Sequence, residues 1–394
     1  MNDLSITQIA NIVNNAVKQA TGSEVLSNLA TKDFVSVAQT ALLTGEDNLA
    51  IGLSQVMAQT IFAVRPYKRK MTGIQRTTQE WGNHVRKINF VDQEVVDDAG
   101  YPGSTGTLKN GQSVDMYTVN LPKVIQTNFY GKADYEFYST FSREQLRAAM
   151  ENAGQFSSFV AGQMLHNSNQ REKRIDTLSH GALCNFIGAK VEGDPTNVLK
   201  LVSIYNNLHG TELNTATVRK KENFFDFAQW MYGYLKTLIG YMGQRTIKYH
   251  LNLTAGDIAR QSTPADLHMY MLSSFENDVD ARVLSNTYND KELNMIDHEK
   301  IDFWQSMDSP DAITVNCSYT GADGTVKTSS EGETAQSDVI GVIFDRDAVG
   351  YTLFNESADT TPMNSRGRYY NTWYNWQGRF YNDITENGIV LILE

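Results

Sequence analysis

The sequence predicts a mixed α+β fold, and three features lead to this prediction. Strand-like segments fill residues 338–394, helical patterns fill the middle of the chain, and an extended region rich in turn residues precedes them. The chain has 394 residues, which exceeds the size of most single hydrophobic cores. We therefore expect two domains that combine helices and strands.

The composition is that of an ordinary globular protein. Hydrophobic residues make up 41% and charged residues 20% of the chain, and the net charge of -11 disfavours wrapping a nucleic-acid duplex. Cys184 and Cys317 are far apart, which argues against a disulfide framework or a zinc site. With no signal-peptide pattern and no membrane-spanning apolar stretch, we expect synthesis in a cytoplasm and no membrane partner.

The N-terminal part is predicted to contain a helical segment followed by a long hairpin. Residues 1–64 hold short amphipathic segments, which fit either an arm that packs on neighbours or a helical layer. Trp81–Val96 and Ser113–Tyr130 alternate like strands, and glycines between them permit turns. A hairpin this long cannot bury both faces on its own domain, so it needs a neighbour.

A long helix follows the hairpin. Ser142–Gln145 has the pattern of a capping box, and apolar residues at helical spacing follow it. The pattern turns polar over residues 167–174 and resumes towards Ile187. Gly193-Asp194-Pro195 then interrupts the chain.

Two further helices and a loop are predicted before the C-terminal strands. A helix is expected from Asn223, its cap, to Ile239. Another is expected to start at Thr263–Asp266, where threonine caps and proline occupies the first turn. The polar, glycine-rich stretch Gly321–Gln336 is predicted to be an exposed loop.

The C-terminal segment has the clearest strands and the highest density of aromatic side chains. Strands are predicted at Val339–Phe344, Ala348–Asn355 and Gly388–Leu393. Seven of the thirteen residues from Tyr369 to Tyr381 are aromatic, and they alternate as in a strand. One face of this strand is expected to be core and the other a subunit surface, while stacking on sugars or single-stranded bases remains open.

No catalytic or metal site is predicted. The sequence has no nucleophile elbow, no glycine-rich phosphate loop and no pair of histidines at the spacing of a helical metal site. Asp345 and Asp347 flank Arg346 at a strand end, where they fit either a metal or acid–base pair or carboxylates that Arg346 neutralises. We expect no enzymatic activity and no cofactor.

Charged residues suggest contacts between copies of the chain. We hypothesise that a basic run and an acidic run pair head to tail between subunits, with nucleic-acid contact of the basic run as the alternative. Arg366 and Arg379 are expected to pair with carboxylates within or across subunits, and Gly367 to adopt a backbone conformation closed to other residues. The basic run is Arg65, Lys68, Arg69, Lys70 and Arg76, and the acidic run is Asp92, Glu94, Asp97 and Asp98.

An ordered set of short motifs runs from the first of these strands to the last. The motifs are Phe344-Asp345-Arg346-Asp347, Asn364-Ser365-Arg366-Gly367, Tyr369, Asn371, Trp373-Tyr374, Arg379-Phe380 and Asn387-Gly388. Their order resembles the C-terminal part of tailed-phage major capsid proteins, most closely those of short-tailed phages of Gram-positive hosts and gut bacteria. The remaining segments agree with that family in order and shape.

The resemblance implies the Johnson fold, which tailed-phage capsid proteins share with encapsulins. It implies an N-terminal arm at 1–64 and an extended loop at 65–130, laid over the adjacent subunit. A peripheral domain with a spine helix would take 131–222 and 339–394, and an axial domain 223–338.

The resemblance also implies a function and partners. Copies of the chain would assemble into pentamers and hexamers of an icosahedral or prolate head that encloses double-stranded DNA. A separate scaffolding protein and a portal protein are expected partners, and a decoration protein is a further candidate; assembly would occur in the host cytoplasm. The interface candidates are Lys68, Arg69, Lys70, Asp92, Glu94, Asp97, Asp98, Arg366, Trp373, Trp376 and Arg379.

Two other functions remain open at this point. A carbohydrate-binding or carbohydrate-active protein would use the Tyr369–Trp376 platform with Asp345 and Asp347 as its carboxylates. An encapsulin-like compartment would enclose a protein cargo in place of DNA.

Overall fold

The structure is a computed structural model, and it describes the larger part of the chain. The predicted arm, most of the hairpin tip and several members of the two charge runs lie outside the described residues; these members are Arg65, Lys68, Arg69, Lys70, Glu94, Asp97 and Asp98. The described residues are 71, 73–76, 84–92, 117, 119, 121–130, 132–145, 153–282, 298–330 and 332–394.

The fold combines helices and strands, as predicted. The helices in the described residues are α1 (Ala153–Gly193), α2 (Leu201–His209), α3 (Thr215–Val218), α4 (Lys221–Met242) and α5 (Ser273–Arg282). The strands are β1 (His84–Phe90), β2 (Val124–Tyr130), β3 (Ala133–Ser142), β4 (Val198–Lys200), β5 (Leu267–Leu272), β6 (Glu299–Ile301), β7 (Ile313–Val315), β8 (Ser318–Thr320), β9 (Val326–Thr328), β10 (Thr334–Gln336), β11 (Val339–Asp345), β12 (Val349–Thr360), β13 (Tyr369–Asn382) and β14 (Gly388–Ile392).

The chain divides into two compact units. The first contains Met1–Gly82, Gly131–His180 and Tyr351–Phe380, and the second contains Asn83–Tyr130, Gly181–Gly350 and Tyr381–Glu394. The four-part division into arm, loop, peripheral and axial domains stays a prediction.

The second unit is built on a five-stranded sheet in the order β4-β14-β11-β5-β6. Its central strand β11 pairs antiparallel with β14 and with β5, and all seven residues of β11 are buried. A strand that is apolar on both faces belongs in the middle of a covered sheet. Gly341 is needed there because a Cβ would lie 2.6 Å from Met271 Sδ.

The predicted hairpin is confirmed at its base. Strands β1 and β2 pair antiparallel, with His84 opposite Tyr130 and Phe90 opposite Val124. The first unit contains a three-stranded sheet in the order β12-β13-β3, in which Trp373 lies opposite Tyr138. Both arrangements follow the alternating sequence patterns that predicted strands.

The capping box and the long helix are also confirmed. Ser142 N donates to Gln145 Oε1 at 3.1 Å, and Gln145 N donates to Ser142 Oγ at 3.2 Å. Helix α1 continues through the polar stretch 167–174 because several of its polar side chains are buried with partners, such as Arg171 with Glu172 at 2.9 Å. The helix ends at Gly193, the first residue of the predicted break.

The helix predicted from Asn223 exists, but its cap was wrong. Helix α4 has Lys220 at its N-cap position, and Asn223 lies inside its first turn and donates to the carbonyl of Thr217 at 3.0 Å. Asn214 is the residue that caps a helix here, since it forms a reciprocal capping box with Thr217.

Two other predictions were wrong. Thr263–Asp266 forms a single turn that leads into β5, because Leu267–Leu272 supplies a buried strand beside β11 and the chain cannot do both. The stretch Gly321–Gln336 is not loop throughout, since β9 pairs with β8 and β10 pairs with β7. Gly324, with φ at +79°, lets the chain reverse between β8 and β9.

No helix in the described part of the chain is long and apolar enough to cross a membrane.

Candidate functional site

The aromatic strand β13 divides into a buried face and a half-buried face, as its alternation predicted. Tyr370, Tyr374 and Trp376 are at most 3% exposed, whereas Trp373 is half-buried on the opposite face. Trp376 stacks on Tyr135 with ring centroids 5.6 Å apart. Any influence of Trp376 on a neighbouring copy therefore passes through the packing of its own unit.

The buried face of β13 is a core. Tyr374 stacks on Phe137 with ring centroids 4.7 Å apart, and its hydroxyl accepts a hydrogen bond from Asn167 at 2.9 Å. Burial raises the pKa of Tyr374 to about 12, although the bond from Asn167 acts in the opposite direction. These rings fill the space between strand and helix and are not available to a ligand.

The opposite face carries an aromatic pair at the surface. Trp373 and Tyr138 face each other across β13 and β3 with ring centroids 5.0 Å apart, and Tyr138 is 63% exposed. Next to them Thr140 Oγ1 donates to Asn371 Oδ1 at 2.6 Å. We call Trp373 and Tyr138 the outer aromatic pair.

The same sheet forms a polar groove of about 510 Å³. Its side chains bond to each other: Gln377 Nε2 donates to Asp134 Oδ1 at 2.5 Å, and Asn355 Nδ2 donates to Gln377 Oε1 at 2.6 Å. Asn355 has φ at 51° and marks the point where β12 changes from buried to exposed. The polar side chains that line the groove are Asp134, Glu136, Asn355, Ser357, Asn375 and Gln377.

The hairpin has an apolar outer face. Ile88 is 51%, Phe90 62% and Val124 49% exposed, although apolar side chains on a strand usually face the core. Phe90 and Val124 lie opposite each other in the β1–β2 register, and Ile88 precedes them on the same face. We call these three residues the hairpin apolar face.

The inner face of the hairpin is charged and is bound to the C-terminal turn. Lys87 Nζ lies 2.8 Å from Asp383 Oδ2 and 2.9 Å from Glu386 Oε1. Arg260 Nη1 lies 2.7 Å from Glu386 Oε1 and donates to Asn89 Oδ1 at 3.1 Å. These five residues form a cluster that we call the hairpin anchor.

Electrostatic interactions favour the charged forms of Lys87 and Asp383 in spite of their burial. Burial alone would lower the pKa of Lys87, but Asp383 and Glu386 raise it above its ordinary value. Burial acts to raise the pKa of Asp383, but the charge of Lys87 and hydrogen bonds from Lys87 and Thr385 hold it below its ordinary value. Burial raises the pKa of Glu386, against the opposing charges of Lys87 and Arg260.

Of the predicted charge runs, the structure describes Arg76, which donates to the carbonyl of Gly73 at 3.0 Å, and Asp92. Asp92 is exposed, forms an ion pair with Arg245 and accepts a hydrogen bond from Ala259 N at 3.1 Å. Its carboxylate is thus engaged within its own unit. Lys68, Arg69, Lys70, Glu94, Asp97 and Asp98 lie outside the described residues, so their pairing stays a prediction.

The structure adds detail at Arg366, Arg379 and Gly367, and the pairing of the two arginines with carboxylates across subunits stays a prediction. Arg366 is exposed, and no described carboxylate lies within ion-pair distance of it. Arg379 is 4% exposed, its guanidinium lies 5.6 Å from the ring centroid of Phe354, and burial lowers its pKa. The residue with positive φ is Arg368, at 52°; Gly367 is required because a Cβ would overlap the ring of Tyr369.

Asp345 and Asp347 do not form a shared carboxylate site. Asp345 is buried, accepts from Ser262 Oγ at 2.5 Å and accepts from the backbone N–H of Asp347 at 2.9 Å. Arg346 lies 3.9 Å from Asp347 and 3.5 Å from Asp266. Of Asp345 and Asp347, only Asp347 lies near Arg346, so the strand end is a structural turn. No group of three His, Cys, Asp or Glu side chains in the described residues is arranged to hold a metal.

Sequence reasoning missed the hairpin anchor. Lys87 lies in an alternating strand where a lysine is expected to face water, and Asp383 lies 296 positions later in the sequence. The available signal was the alternation itself, since Lys87 and Asn89 occupy the face opposite Ile88 and Phe90.

Comparison with known proteins gives a family and a fold. The family model of the Phi29-like phage major capsid protein matches residues 58–392. The fold is similar to the capsid structure of Staphylococcus phage Andhra, with 11% identity, a TM-score of 0.54, and coverage of 83% of this chain and 84% of that chain. It is also similar to a chain in the structure of the head fiber and inner core protein gp22 of bacteriophage P68, with 11% identity, a TM-score of 0.54, and coverage of 83% and 85%. No curated protein matches the sequence.

The capsid structure confirms the fold that the C-terminal motifs implied. At 11% identity this likeness concerns the fold alone. The family match extends the resemblance from the C-terminal motifs to most of the chain.

Proposed function

The chain belongs to the Phi29-like phage major capsid protein family, and we propose that it builds its shell by docking the hairpin apolar face onto an adjacent copy. The protein is a structural component of a phage virion. Copies of the chain form rings of five and six, and the rings close into an icosahedral or prolate head around double-stranded DNA.

One observation carries this proposal. The hairpin is bound to its own unit through a charged inner face, and it leaves Ile88, Phe90 and Val124 exposed. Apolar groups that face water cost about 25 cal/mol for each Å² that a partner would bury. An exposed apolar face on an anchored element is typical of an interaction surface.

The outer aromatic pair is the proposed receiving surface on the next copy. It lies on an open sheet face, and its exposed rings fit the apolar side chains of the hairpin. The groove beside it carries Asp134 and Glu136, whereas the exposed Arg86 precedes Ile88 on the hairpin. Apolar and charged groups therefore occur in a complementary order on the two surfaces.

The proposed assembly is stabilised by many modest contacts. Rings of five and six need heterologous contacts that close, since each copy offers one surface to the next copy and another to the previous copy. Closure makes each added subunit bind several neighbours at once, so weak contacts add up to a stable shell.

The proposed domain roles follow the division expected from the sequence. Residues 1–64 act as the arm and 65–130 as the extended loop, while 131–222 with 339–394 form the peripheral domain and 223–338 the axial domain. In this arrangement the hairpin anchor lies at the base of the extended loop.

The charged runs are a second proposed contact. Lys68, Arg69 and Lys70 pair with the acidic run of a neighbouring copy. Asp92 already forms an ion pair with Arg245. The contact with the neighbouring copy is therefore assigned to Glu94, Asp97 and Asp98. Charge reversal of the three basic residues is expected to impair assembly, and intact shells would overturn the pairing.

Other partners follow from the role in the virion. The net charge of -11 fits a shell that confines DNA with few specific contacts. A separate scaffolding protein, a portal protein and a decoration protein are proposed partners, and assembly takes place in the host cytoplasm. The protein is proposed to have no enzymatic activity.

The two alternative functions lose their support. The family match names a capsid protein, and no comparison points to a carbohydrate protein or an encapsulin. Three of the aromatic residues assigned to the sugar platform, Tyr370, Tyr374 and Trp376, are core side chains.

Negative-stain electron microscopy with light scattering on the purified chain tests the proposal. We expect closed shells, rings of five or six, sheets or tubes, with or without added scaffolding protein. A homogeneous monomer or dimer that stays dispersed after scaffolding protein is added would contradict the proposal.

A further inference from the structure

A histidine lies directly behind the hairpin anchor. His250 is 4% exposed, and its Nδ1 lies 3.1 Å from Asn387 Oδ1. Asn387 Nδ2 donates to Ser262 Oγ, so Asn387 Oδ1 accepts and His250 Nδ1 carries the hydrogen. His250 is therefore bound to Asn387 through its Nδ1–H.

The other ring nitrogen of His250 is buried without a hydrogen-bond partner in the described part of the chain. His250 and Asn252 line a cavity of about 10 Å³, and Asn252 Oδ1 is a second buried atom with no such partner there. Asn89 and Thr127 of the hairpin line the same cavity. A polar space of this size holds about one water molecule.

The charges around His250 disfavour a proton on it. Burial lowers the pKa of His250, and the nearby cations Arg260 and Lys190 lower it further. The hydrogen bond to Asn387 and the carbonyl of Ile258 act in the opposite direction. Both cations already have carboxylate partners: Arg260 pairs with Glu386 at 2.7 Å, and Lys190 with Asp194 at 2.8 Å.

We propose that His250 makes the attachment of the hairpin acid-sensitive. Arg260 connects His250 to the hairpin, because it binds both Asn89 of the hairpin and Glu386 of the C-terminal turn. A protonated His250 places a new positive charge beside Arg260. The repulsion between these two charges falls when Arg260 releases Asn89. This device lies within one subunit, so it stands whatever surface the hairpin docks on.

The direction of the pH effect follows from linkage. The pKa of His250 is lower in the attached state than the value of about 6.5 for a solvated histidine. The attached state is thus fully favoured above pH 6.5 or so and loses stability as the pH falls. Each unit of difference between the two pKa values favours release about tenfold under acidic conditions.

Hydrogen–deuterium exchange of the full-length subunit tests this proposal at about pH 5 and pH 7.5, on either side of the ordinary histidine pKa. After correction for the intrinsic pH dependence, we expect peptides that cover β1 and β2 to exchange faster at about pH 5 than at pH 7.5. Peptides from β11 and β14 serve as the internal reference and should not change.

Variants separate His250 from other titrating groups. His250→Gln retains a donor towards Asn387 and does not titrate, so its hairpin should exchange equally at both pH values. His209→Gln is the control, because His209 is an exposed histidine on α2 that bonds to the Tyr205 carbonyl at 3.0 Å. It should keep the wild-type response.

Two results would overturn the proposal. One is that the exchange rate of the wild-type hairpin, relative to β11, does not depend on pH. This measurement needs no variant. The other is a folded His250→Gln or His250→Asn protein whose hairpin loosens in acid as much as the wild type. Neither result bears on whether the chain assembles into shells.

Discussion

The central sheet and the hairpin distribute their side chains in opposite ways. In the central sheet every residue of β11 is buried, and the strand is apolar almost throughout. In the hairpin the buried face carries Lys87, whereas Ile88 and Phe90 face outwards. The central sheet thus buries its apolar side chains within one subunit, whereas the hairpin contacts its own unit through Lys87 and leaves apolar side chains exposed.

The largest expected effect separates the core face of β13 from its outer face. Trp376→Ala should lower the free energy of unfolding by about 3–5 kcal/mol, because it removes a buried ring that stacks on Tyr135. Trp373→Ala should cost less than half of that, since Trp373 is half-buried. Chemical denaturation of dissociated subunits measures both values. Equal losses of unfolding free energy would show that the core face and the outer face of β13 contribute equally to stability.

The hairpin anchor should show the next largest effect. Asp383→Asn is expected to cost about 2–3 kcal/mol at neutral pH, because Lys87 loses its nearest buried counter-charge. The lowered pKa of Asp383 means that this stability is present above about pH 4 and is lost as the pH falls through the folded-state pKa. The difference in the free energy of unfolding between the wild type and Asp383→Asn should therefore be smaller near pH 3 than at neutral pH, as measured by denaturation.

A matched change should have no such effect. Glu136→Gln alters an exposed carboxylate in the polar groove and should change the free energy of unfolding by no more than about 0.5 kcal/mol. If Asp383→Asn were as mild as Glu136→Gln, the hairpin anchor would contribute little to the fold.

The smallest expected effect concerns the turn before β13. Arg368 has φ at 52°, a conformation that costs a non-glycine residue about 1 kcal/mol. Arg368→Gly should therefore raise the free energy of unfolding by up to about 1 kcal/mol in thermal or chemical denaturation. A loss of stability would show that the arginine side chain makes a contact worth more than the strain.

The sequence predicted the elements whose signals are local. The alternation of Tyr369–Tyr381 gave the two faces of β13, and Ser142 with Gln145 gave a capping box that the hydrogen bonds confirm. The capping signal at Thr263 failed because pairing of Leu267–Leu272 with β11 outweighs a local helical preference.

Long-range pairings were beyond the reach of sequence reasoning. Lys87 and Asp383 lie 296 positions apart, and nothing in either local sequence indicates that they meet. The same holds for the packing of Arg379 over the Phe354 ring, which no local pattern indicates. The outer face of the hairpin was predictable in kind, since a long hairpin needs a neighbour, but its residues were not singled out.

Assembly of an Ile88→Ser, Phe90→Ser double variant tests the central claim most directly. The variant removes two side chains that are exposed in the subunit, so the free energy of unfolding should stay within about 0.5 kcal/mol of the wild type. Light scattering and negative-stain microscopy should nevertheless show dispersed subunits under conditions in which the wild type, and a Leu208→Ser control at another exposed apolar site, form shells. Shells of normal size and yield from the double variant would contradict the claim that the hairpin apolar face joins one copy to the next.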